Sequence, residues 1–161
     1  MPPAATATPT PVNLVGNPGF ETNTTGWNAT QPGVTLARVA GGHSGNYSAQ
    51  LANAGSAAIE CNLNDSPNWV ATTTAGTYTA SLWVRADVGG AALKLRFREY
   101  KGSTFMGSLT TQVTLGTTWQ LVTVSYAPVA PGSSTLDFNA YVSSAPVGTC
   151  FYADDAAITV N

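Results

Sequence analysis

The chain has 161 residues, of which 9% are charged and 43% are hydrophobic, and its formal net charge at pH 7 is −2. A chain of this length can bury the core of one domain, and the low, slightly negative charge argues against electrostatic binding to nucleic acid. No apolar run approaches the roughly 18 residues that span a bilayer, and no positively charged, apolar leader precedes the first prolines. The composition therefore predicts one soluble domain.

The first twelve residues, MPPAATATPTPV, are rich in Pro and Thr. This composition favours an extended chain over a packed element. We therefore interpret residues 1–12 as the remnant of a linker and residues 13–161 as a module of a larger secreted protein.

Apolar residues then recur with period two, in short segments bounded by Gly, Pro, Asn and Ser. No segment keeps a helical rhythm for ten residues. The pattern predicts an all-β fold, a two-sheet antiparallel β-sandwich of the jelly-roll type. The predicted strands are 46–53, 57–63, 77–86, 92–100, 108–114, 119–126, 135–142 and 150–160, with shorter strands near 12–15 and 33–40.

The alternation separates two faces in the segments 92–100 and 135–142. Every second residue in each segment is apolar and is expected to point into the core. The residues between them point outward: Lys94, Arg96, Arg98, Tyr100, Asp137, Asn139 and Tyr141. A purely solvated sheet more often carries Thr, Ser and Lys, so we predict that a polar ligand lies across this outer face.

The two cysteines, Cys61 and Cys150, have no close cysteine neighbours of the kind that a zinc site uses. The sequence therefore favours a disulfide over a metal site, provided that the compartment is oxidising. The alternative is two buried free thiols. A bond across so long a loop would stabilise the fold by roughly 4 kcal/mol through loop entropy.

Short motifs follow one another along the chain: NPGFE at 17–21, GW at 26–27, HSGNYSAQL at 43–51, YTASLWV at 78–84 and FYADDAAI at 151–158. In this order they resemble the carbohydrate-binding modules of the family 4, 9 and 22 superfamily, which have a galactose-binding-like jelly roll. The resemblance covers roughly residues 13–160. It implies a secreted, monomeric, non-catalytic module that binds polysaccharide, such as β-glucan or xylan, and holds a covalently linked catalytic domain on it.

The resemblance also implies a structural calcium ion. The ligands carried over to this sequence are Glu21, the carbonyls of Gly19 and Tyr47, Ser44 and Asp154. Calcium accepts such mixed sets of carboxylate and carbonyl oxygens. Adjacent strand residues face opposite sides, so we expect Asp154 to bind the ion, with Asp155 as the second choice. The alternatives are a turn-capping role for Glu21 and an aggregation-blocking role for the Asp pair.

For the sugar itself, the resemblance implies a cleft across one sheet. Its predicted lining comprises Gln50, Glu60, Arg96, Arg98, Tyr100, Asn139 and Tyr141, with Phe105 at a loop edge. Tyr141 matches a tyrosine of xylan-binding relatives, whereas Ser143 stands where they have glutamate, and Ala57 or Ala58 where they have a platform tryptophan. Trp69 either replaces that platform or covers the core.

The other tryptophans, Trp27, Trp83 and Trp119, are interpreted as packing residues. The basic groups on one strand raise a second possibility, an acidic sugar such as a uronic acid, because Arg binds a planar carboxylate in two bonds. The alternative is a cross-strand ion network, with Arg96, Arg98, Glu60 and Asp137 as its members.

Intrinsic catalysis is not expected. A glycosidase requires two carboxylates about 5 to 10 Å apart. Alternation turns Glu99 to the opposite side of its strand from Tyr100, so we do not expect it to form such a catalytic pair with Glu60. The single histidine, His43, lies in a Gly-rich turn without a Ser-His-Asp pattern. Two functions remain open: a carbohydrate-binding module, or a calcium-stabilised spacer or adhesion domain without sugar affinity.

Overall fold

The computed structural model describes residues 10–161, and within this range it contains strands and no helix. None of the described residues therefore forms a helix able to span a membrane. The strands are β1 Trp27–Asn28, β2 Val34–Ala40, β3 Tyr47–Asn53, β4 Ile59–Asp65, β5 Tyr78–Arg85, β6 Ala92–Lys101, β7 Thr104–Thr114, β8 Gln120–Tyr126, β9 Thr135–Ala145 and β10 Gly148–Val160.

These strands form two five-stranded antiparallel sheets. The first sheet has the order β1-β4-β9-β6-β7, and the second has the order β2-β3-β10-β5-β8. The inner faces of both sheets are apolar because alternate residues of each strand point inward. Phe97 and Phe138 enter the core from the first sheet, and Leu51 and Phe151 enter it from the second. The predicted jelly-roll sandwich is confirmed.

Several strand boundaries differ from the prediction. Residues 12–15 form no strand, although Leu14 donates its N–H to the carbonyl of Ile158. The two-residue β1 was not predicted because it is too short to show alternation. Both β7 and β9 are longer than predicted. The first nine residues of the predicted 1–12 linker lie outside the described range.

The predicted disulfide is present. Cys61 in β4 and Cys150 in β10 are joined, with their Cα atoms 6.5 Å apart, and the bond links one sheet to the other. The alternative of two free thiols is therefore wrong.

Glu99 is a buried acid on the inner side of β6. Its carboxylate accepts hydrogen bonds from the main-chain N–H groups of Val129 and Ala130 and from the hydroxyls of Tyr126 and Ser134. Burial opposes ionisation, but these four donors outweigh it and lower the pKa of Glu99. The residue therefore anchors the 127–134 loop and is not available for acid–base chemistry.

Candidate ligand-binding face

The outer face of the first sheet carries the polar side chains predicted to meet a ligand. Alternation in β4, β6 and β9 turns Leu and Phe inward and leaves the intervening residues outside. We call this surface the polar face. Its members are Glu60, Asn62 and Asn64 of β4, Lys94, Arg96, Arg98 and Tyr100 of β6, Phe105 of β7, and Asp137, Asn139 and Tyr141 of β9.

Strand register arranges these side chains in rows across the sheet. The rows are Asn62–Tyr141–Lys94, then Asn64–Asn139–Arg96, then Asp137–Arg98, and finally Thr135–Tyr100–Phe105. The first row and the last lie six residue steps apart along β6, from Lys94 to Tyr100, which corresponds to roughly 20 Å at the usual rise of a strand. The polar face is therefore long enough for an extended oligomeric ligand.

The aromatic end of the polar face is formed by Tyr100 and Phe105. Their ring centroids lie 5.8 Å apart in an edge-to-face arrangement, and Phe105 is 55% exposed. A depression of about 210 Å³ lies beside Tyr100, and its walls come from Gly, Ser, Thr and Ala residues of the 71–72 and 132–135 segments. This end combines an open apolar ring with a small polar recess.

The centre of the polar face is an ion pair. Arg98 binds Asp137 through its Nε and Nη2 atoms, and the same carboxylate oxygen accepts a hydrogen bond from Asn139 at 3.2 Å. The predicted ion network is therefore realised only in part. Arg96 instead donates to the amide oxygen of Asn139, and Glu60 accepts from Asn62 at 3.3 Å.

Tyr141 occupies the other end and is only 8% exposed. The Arg96 guanidinium lies 4.5 Å from the centre of the Tyr141 ring, and Lys94 Nζ lies 5.6 Å from it. The prediction placed Tyr141 on the correct face, but its ring is largely covered by these cations. The surface of this end therefore consists mainly of the Lys94 ammonium, the Arg96 guanidinium and neighbouring amide groups.

Two predicted site residues lie elsewhere. Gln50 is on the outer face of the second sheet, where it donates to the hydroxyl of Tyr152 at 3.1 Å. Trp69 packs edge-to-face on the buried Trp27, with centroids 5.8 Å apart, and covers the end of the core. Gln50 is therefore not part of the predicted cleft, and Trp69 does not serve as a platform over it.

Two of the tryptophans interpreted as packing residues are half-exposed on the second sheet's outer side. The ring of His43 stacks on Trp83 at 3.7 Å and meets Trp119 edge-on at 6.0 Å. The Arg85 guanidinium lies 3.9 Å from the Tyr152 ring centre. The stacked histidine covers Trp83, so this ring is not an open platform.

The structure adds Asn62 and Asn64 to the predicted face, which already included Lys94 and Asp137. The signal was present in the sequence, because in β4 these two Asn residues alternate with the inward-facing Cys61 and Leu63. The sandwich also has a larger depression of about 470 Å³ near Cys150. Its walls are mostly small apolar residues without an aromatic ring, which makes it a poorer candidate for binding a polar ligand.

The acidic residues predicted to bind calcium meet around one loop of the second sheet. We call this assembly, formed by Glu21, residues 42–47 and Asp154–Asp155, the clasp. Asp154 accepts the N–H groups of His43 and Ser44 at 2.7 and 3.2 Å. Glu21 accepts those of Asn46 and Tyr47 at 3.1 and 3.0 Å. The clasp thereby joins three distant parts of the chain.

Oxygen atoms converge within the clasp at Gly42. A Cβ atom at this position would overlap the carbonyl oxygens of Ser44 and Tyr47 and would lie 3.0 Å from Asp154 Oδ2. Burial, with a contribution from the Asp155 charge, raises the pKa of Asp154. Two carbonyls and a carboxylate around one point form the kind of oxygen set that suits calcium.

The prediction that Asp154 and Asp155 face opposite sides is wrong. Asp155 has φ of +46° and lies in a bulge where the β10–β5 register shifts. Its carboxylate therefore turns to the same loop as Asp154, with His43 Nδ1 at 2.7 Å and Ser44 Oγ at 2.6 Å. Ser44 thus offers its carbonyl to the clasp, because its hydroxyl is bonded to Asp155.

Gly19, another predicted ligand, lies beside the acidic side chains of the clasp. A Cβ atom at Gly19 would lie 3.8 Å from oxygens of both Asp154 and Asp155, so its backbone is adjacent. No group of three or more His, Cys, Asp or Glu side chains that could hold a metal occurs in residues 10–161. An ion bound there would therefore depend on main-chain oxygens as well as carboxylates.

Ten strands in two antiparallel sheets place the protein in the jelly-roll class of β-sandwiches. The sequence profile of the family described as "Carbohydrate binding domain" matches residues 12–146, and the chain belongs to this family. No curated protein matches the sequence closely.

Solved structures share the fold at low identity. The CBM22-1 xylan-binding domain of Paenibacillus barcinonensis Xyn10C superposes with a TM-score of 0.64 at 20% identity, covering 96% of this chain and 97% of that chain. TmCBM61, solved in complex with β-1,4-galactotriose, gives 0.61 at 16% identity, with 93% and 99% covered. The CBM22-1–GH10 modules of Clostridium thermocellum xylanase 10B, complexed with xylohexaose, give 0.69 at 19% identity over 94% of this chain.

This chain corresponds to only part of several longer neighbours. It covers 29% of the xylanase chain, 26% of an α-L-arabinofuranosidase and 21% of a bacteriophage CBA120 tailspike protein. The fold therefore makes up nearly all of some solved chains and one segment of longer ones.

Proposed function

We propose that this protein is a non-catalytic carbohydrate-binding module that holds polysaccharide along the polar face. The observation that carries the proposal is the row arrangement of amide, guanidinium and aromatic groups along roughly 20 Å of one sheet. Sugars combine apolar ring faces, which pack on aromatic side chains, with hydroxyls that exchange hydrogen bonds with such groups. Family membership and the sugar complexes of structural neighbours support the same assignment.

The wide separation of the two acids of the polar face supports a binding role without hydrolysis. Glu60 and Asp137 are the carboxylates of the polar face, and Asp137 is bound to Arg98. Glu60 lies beyond the Tyr141 row, which is itself four residues of β9, roughly 13 Å, from Asp137. This separation exceeds the 5 to 10 Å or so that glycosidase carboxylates require.

Within this proposal, calcium stabilises the clasp and takes no direct part in sugar binding. The convergence of Ser44 O, Tyr47 O and Asp154 Oδ2 at Gly42 fits a hard cation. Glu21 and Asp155 would add negative charge nearby. The ion would offset the mutual repulsion of the clasp carboxylates and add to the hydrogen bonds that already join these segments.

The proposal also includes the compartment in which the module works and its attachment to an enzyme. The Cys61–Cys150 disulfide supports a secreted protein, because such bonds persist in oxidising compartments. Neighbours in which the same fold accompanies a GH10 module support a role in holding a linked enzyme on its polysaccharide.

Affinity electrophoresis through gels containing neutral or acidic polysaccharides tests the binding function. We expect retardation in at least one polysaccharide, and we expect the double variant Tyr100→Ala/Phe105→Ala to lose most of it, because stacking on an aromatic ring is worth about 1 kcal/mol or more. Leu121→Ala is the matched control, since Leu121 is also exposed but lies on the second sheet.

Two results would contradict the proposal. Migration unchanged by every polysaccharide would favour a spacer or adhesion domain instead. Equal loss of binding in the Leu121 control would move the binding surface away from the polar face.

A further inference from the structure

We propose that Lys94 and Arg96, with Tyr141 between them, form an anion subsite that recognises a sugar carboxylate, so that the preferred polysaccharide is one that contains uronic acid. This inference rests on the proposed function, because it specifies the ligand of the polar face. It concerns the chemistry of one end of that face, away from the aromatic pair.

The first observation is the concentration of positive charge. The chain has six Lys and Arg residues and a net charge of −2, yet three of the six lie side by side on the outer face of β6. Within residues 10–161, Arg98 is the one of the three that has a carboxylate partner, Asp137. The polar face is therefore locally cationic in an acidic protein.

The second observation is that Lys94 and Arg96 are half-buried without a counter-ion. No carboxylate of residues 10–161 lies within 4 Å of either charged group, and residues 1–9 contain no Asp or Glu. Their hydrogen bonds go to neutral oxygens: Arg96 Nε to the Asn139 amide at 3.1 Å and Lys94 Nζ to Ser143 Oγ at 3.2 Å.

A partly desolvated cation with neutral partners retains most of its capacity to bind an anion. Charge-assisted hydrogen bonds to a carboxylate are roughly twice as strong as neutral ones, and the planar guanidinium matches a planar carboxylate. Arg96 Nη1 is held only by a long 3.4 Å contact to the Tyr141 hydroxyl. The Arg96 fork is therefore free to exchange this contact for a ligand oxygen.

The acids of the polar face do not compete for this position. Asp137 is engaged by Arg98 in the next row. Glu60 lies on the far side of β9 and accepts from Asn62. A carboxylate arriving between Lys94 and Arg96 thus meets two cations and the Tyr141 hydroxyl, while the negative groups lie on other strands.

Paired polymers with the same backbone test the inference. Glucuronoxylan and polygalacturonate are each compared with their carboxyl-reduced forms by isothermal titration calorimetry. We expect at least one acidic polymer to bind roughly ten- to hundredfold more tightly than its reduced form, the range that one charged hydrogen bond represents. The preference should weaken as salt rises from 0.01 to 1 M, concentrations at which screening lengths are about 30 and 3 Å.

Single variants assign the preference to the subsite. Arg96→Gln and Lys94→Gln should each reduce the preference about tenfold, and Arg96→Lys should retain part of it. Lys101→Gln is the control, because it removes the same charge from an exposed position at the end of β6. Unchanged urea midpoints would show that these variants remain folded.

The outcomes separate the two proposals. Equal binding of acidic and reduced polymers, or an acid preference that survives both Gln variants, overturns the subsite while leaving the binding module intact. Failure of these polymers and of every neutral polysaccharide to bind overturns the module and the subsite together.

Discussion

Asp65 is an acid placed inside the sandwich, where its carboxylate accepts the N–H of Phe138 through one oxygen and that of Trp69 through the other, both at 2.9 Å. Burial raises the pKa of Asp65 to about 7, although these two donors act in the opposite direction. The residue thereby fixes the end of β4 to β9 and to the loop that carries Trp69. The free energy of unfolding should therefore depend on pH through the ionisation of Asp65.

Unfolding of the wild type and Asp65→Asn between pH 4 and 7.5 tests this effect. The folded pKa lies above the unfolded value near 3.9, so the contribution of the protonated group to stability is complete below pH 4 and is lost as pH rises towards 7. The wild-type curve should therefore fall relative to the variant by up to about 1.4 kcal/mol per pH unit, the value for one proton.

Asp87→Asn serves as the control, because it also replaces one aspartate by asparagine, but at a side chain that is 53% exposed. Parallel stability curves for wild type and Asp65→Asn across this interval would show that Asp65 does not titrate there.

Individual residues also show where the alternation of a strand predicts the direction of a side chain and where it does not. Alternation correctly turned Arg96, Arg98 and Tyr100 outward, because β6 pairs with β9 without a register shift, although its pairing with β7 shifts between Glu99 and Tyr100. The same reasoning failed at Asp155, whose positive φ within a bulge reverses its direction. A bulge depends on tertiary pairing, and no residue type in the Asp-Asp sequence requires one.

At the scale of elements, the clasp connects the β2–β3 loop with β10 and with the segment before β1. We expect addition of calcium to chelator-treated protein to raise Tm by roughly 5 to 10 °C when the free ion exceeds its Kd a hundredfold. The estimate follows from a ligand contribution of about 2.7 kcal/mol and a shift of roughly 2 to 4 °C per kcal/mol for a chain of this size.

Asp154→Asn should abolish this response because it removes one of the converging oxygen charges. Glu60→Gln, which removes an acid from the opposite sheet, should keep it. An unchanged Tm of the wild type in excess chelator would eliminate the ion from the clasp.

Strand pairing decides which of the predicted contacts form. Arg98 lies directly opposite Asp137 and binds it, whereas Arg96 lies opposite Asn139 and cannot reach the same carboxylate as closely. The sequence shows that these residues share a face, but register depends on bulges and loop lengths, which the pattern does not reveal. Of the four predicted members of the ion network, Arg98 and Asp137 form an ion pair, and Arg96 and Glu60 do not take part in it.

At the scale of the whole molecule, the disulfide joins the two sheets across a sequence separation of 89 residues. The double variant Cys61→Ser/Cys150→Ser should lose roughly 4 kcal/mol of unfolding free energy, mainly because its unfolded chain is less restricted. Urea denaturation of the variant and the oxidised wild type measures this difference. The variant should retain the β-sheet circular dichroism spectrum, since the core between the sheets remains.

A loss below about 1 kcal/mol would contradict the loop-entropy argument. The wild type treated with reductant provides the comparison, because it removes the bond without replacing either side chain.

The sandwich itself was predictable because period-two alternation specifies strands, and enough of them must form two sheets around one core. The composition of the polar face was predictable in outline, since every second residue of β6 and β9 is charged, amide or phenolic, where a strand that only faces solvent more often carries Thr, Ser or Lys. Gln50 was misplaced because its position depends on which sheet its strand joins, and Trp69 was left between two roles because these depend on how its loop folds. Neither property is contained in local alternation.

The two lysines, Lys94 and Lys101, both belong to β6, and this has a practical consequence for chemical labelling. A dye or sensor surface attached through side-chain amines would modify the polar face or its border. Such a preparation would report weak or absent polysaccharide binding even if the unlabelled protein bound well. Site-specific coupling on the second sheet, for example at an introduced cysteine replacing Ser125, would leave the first sheet unmodified.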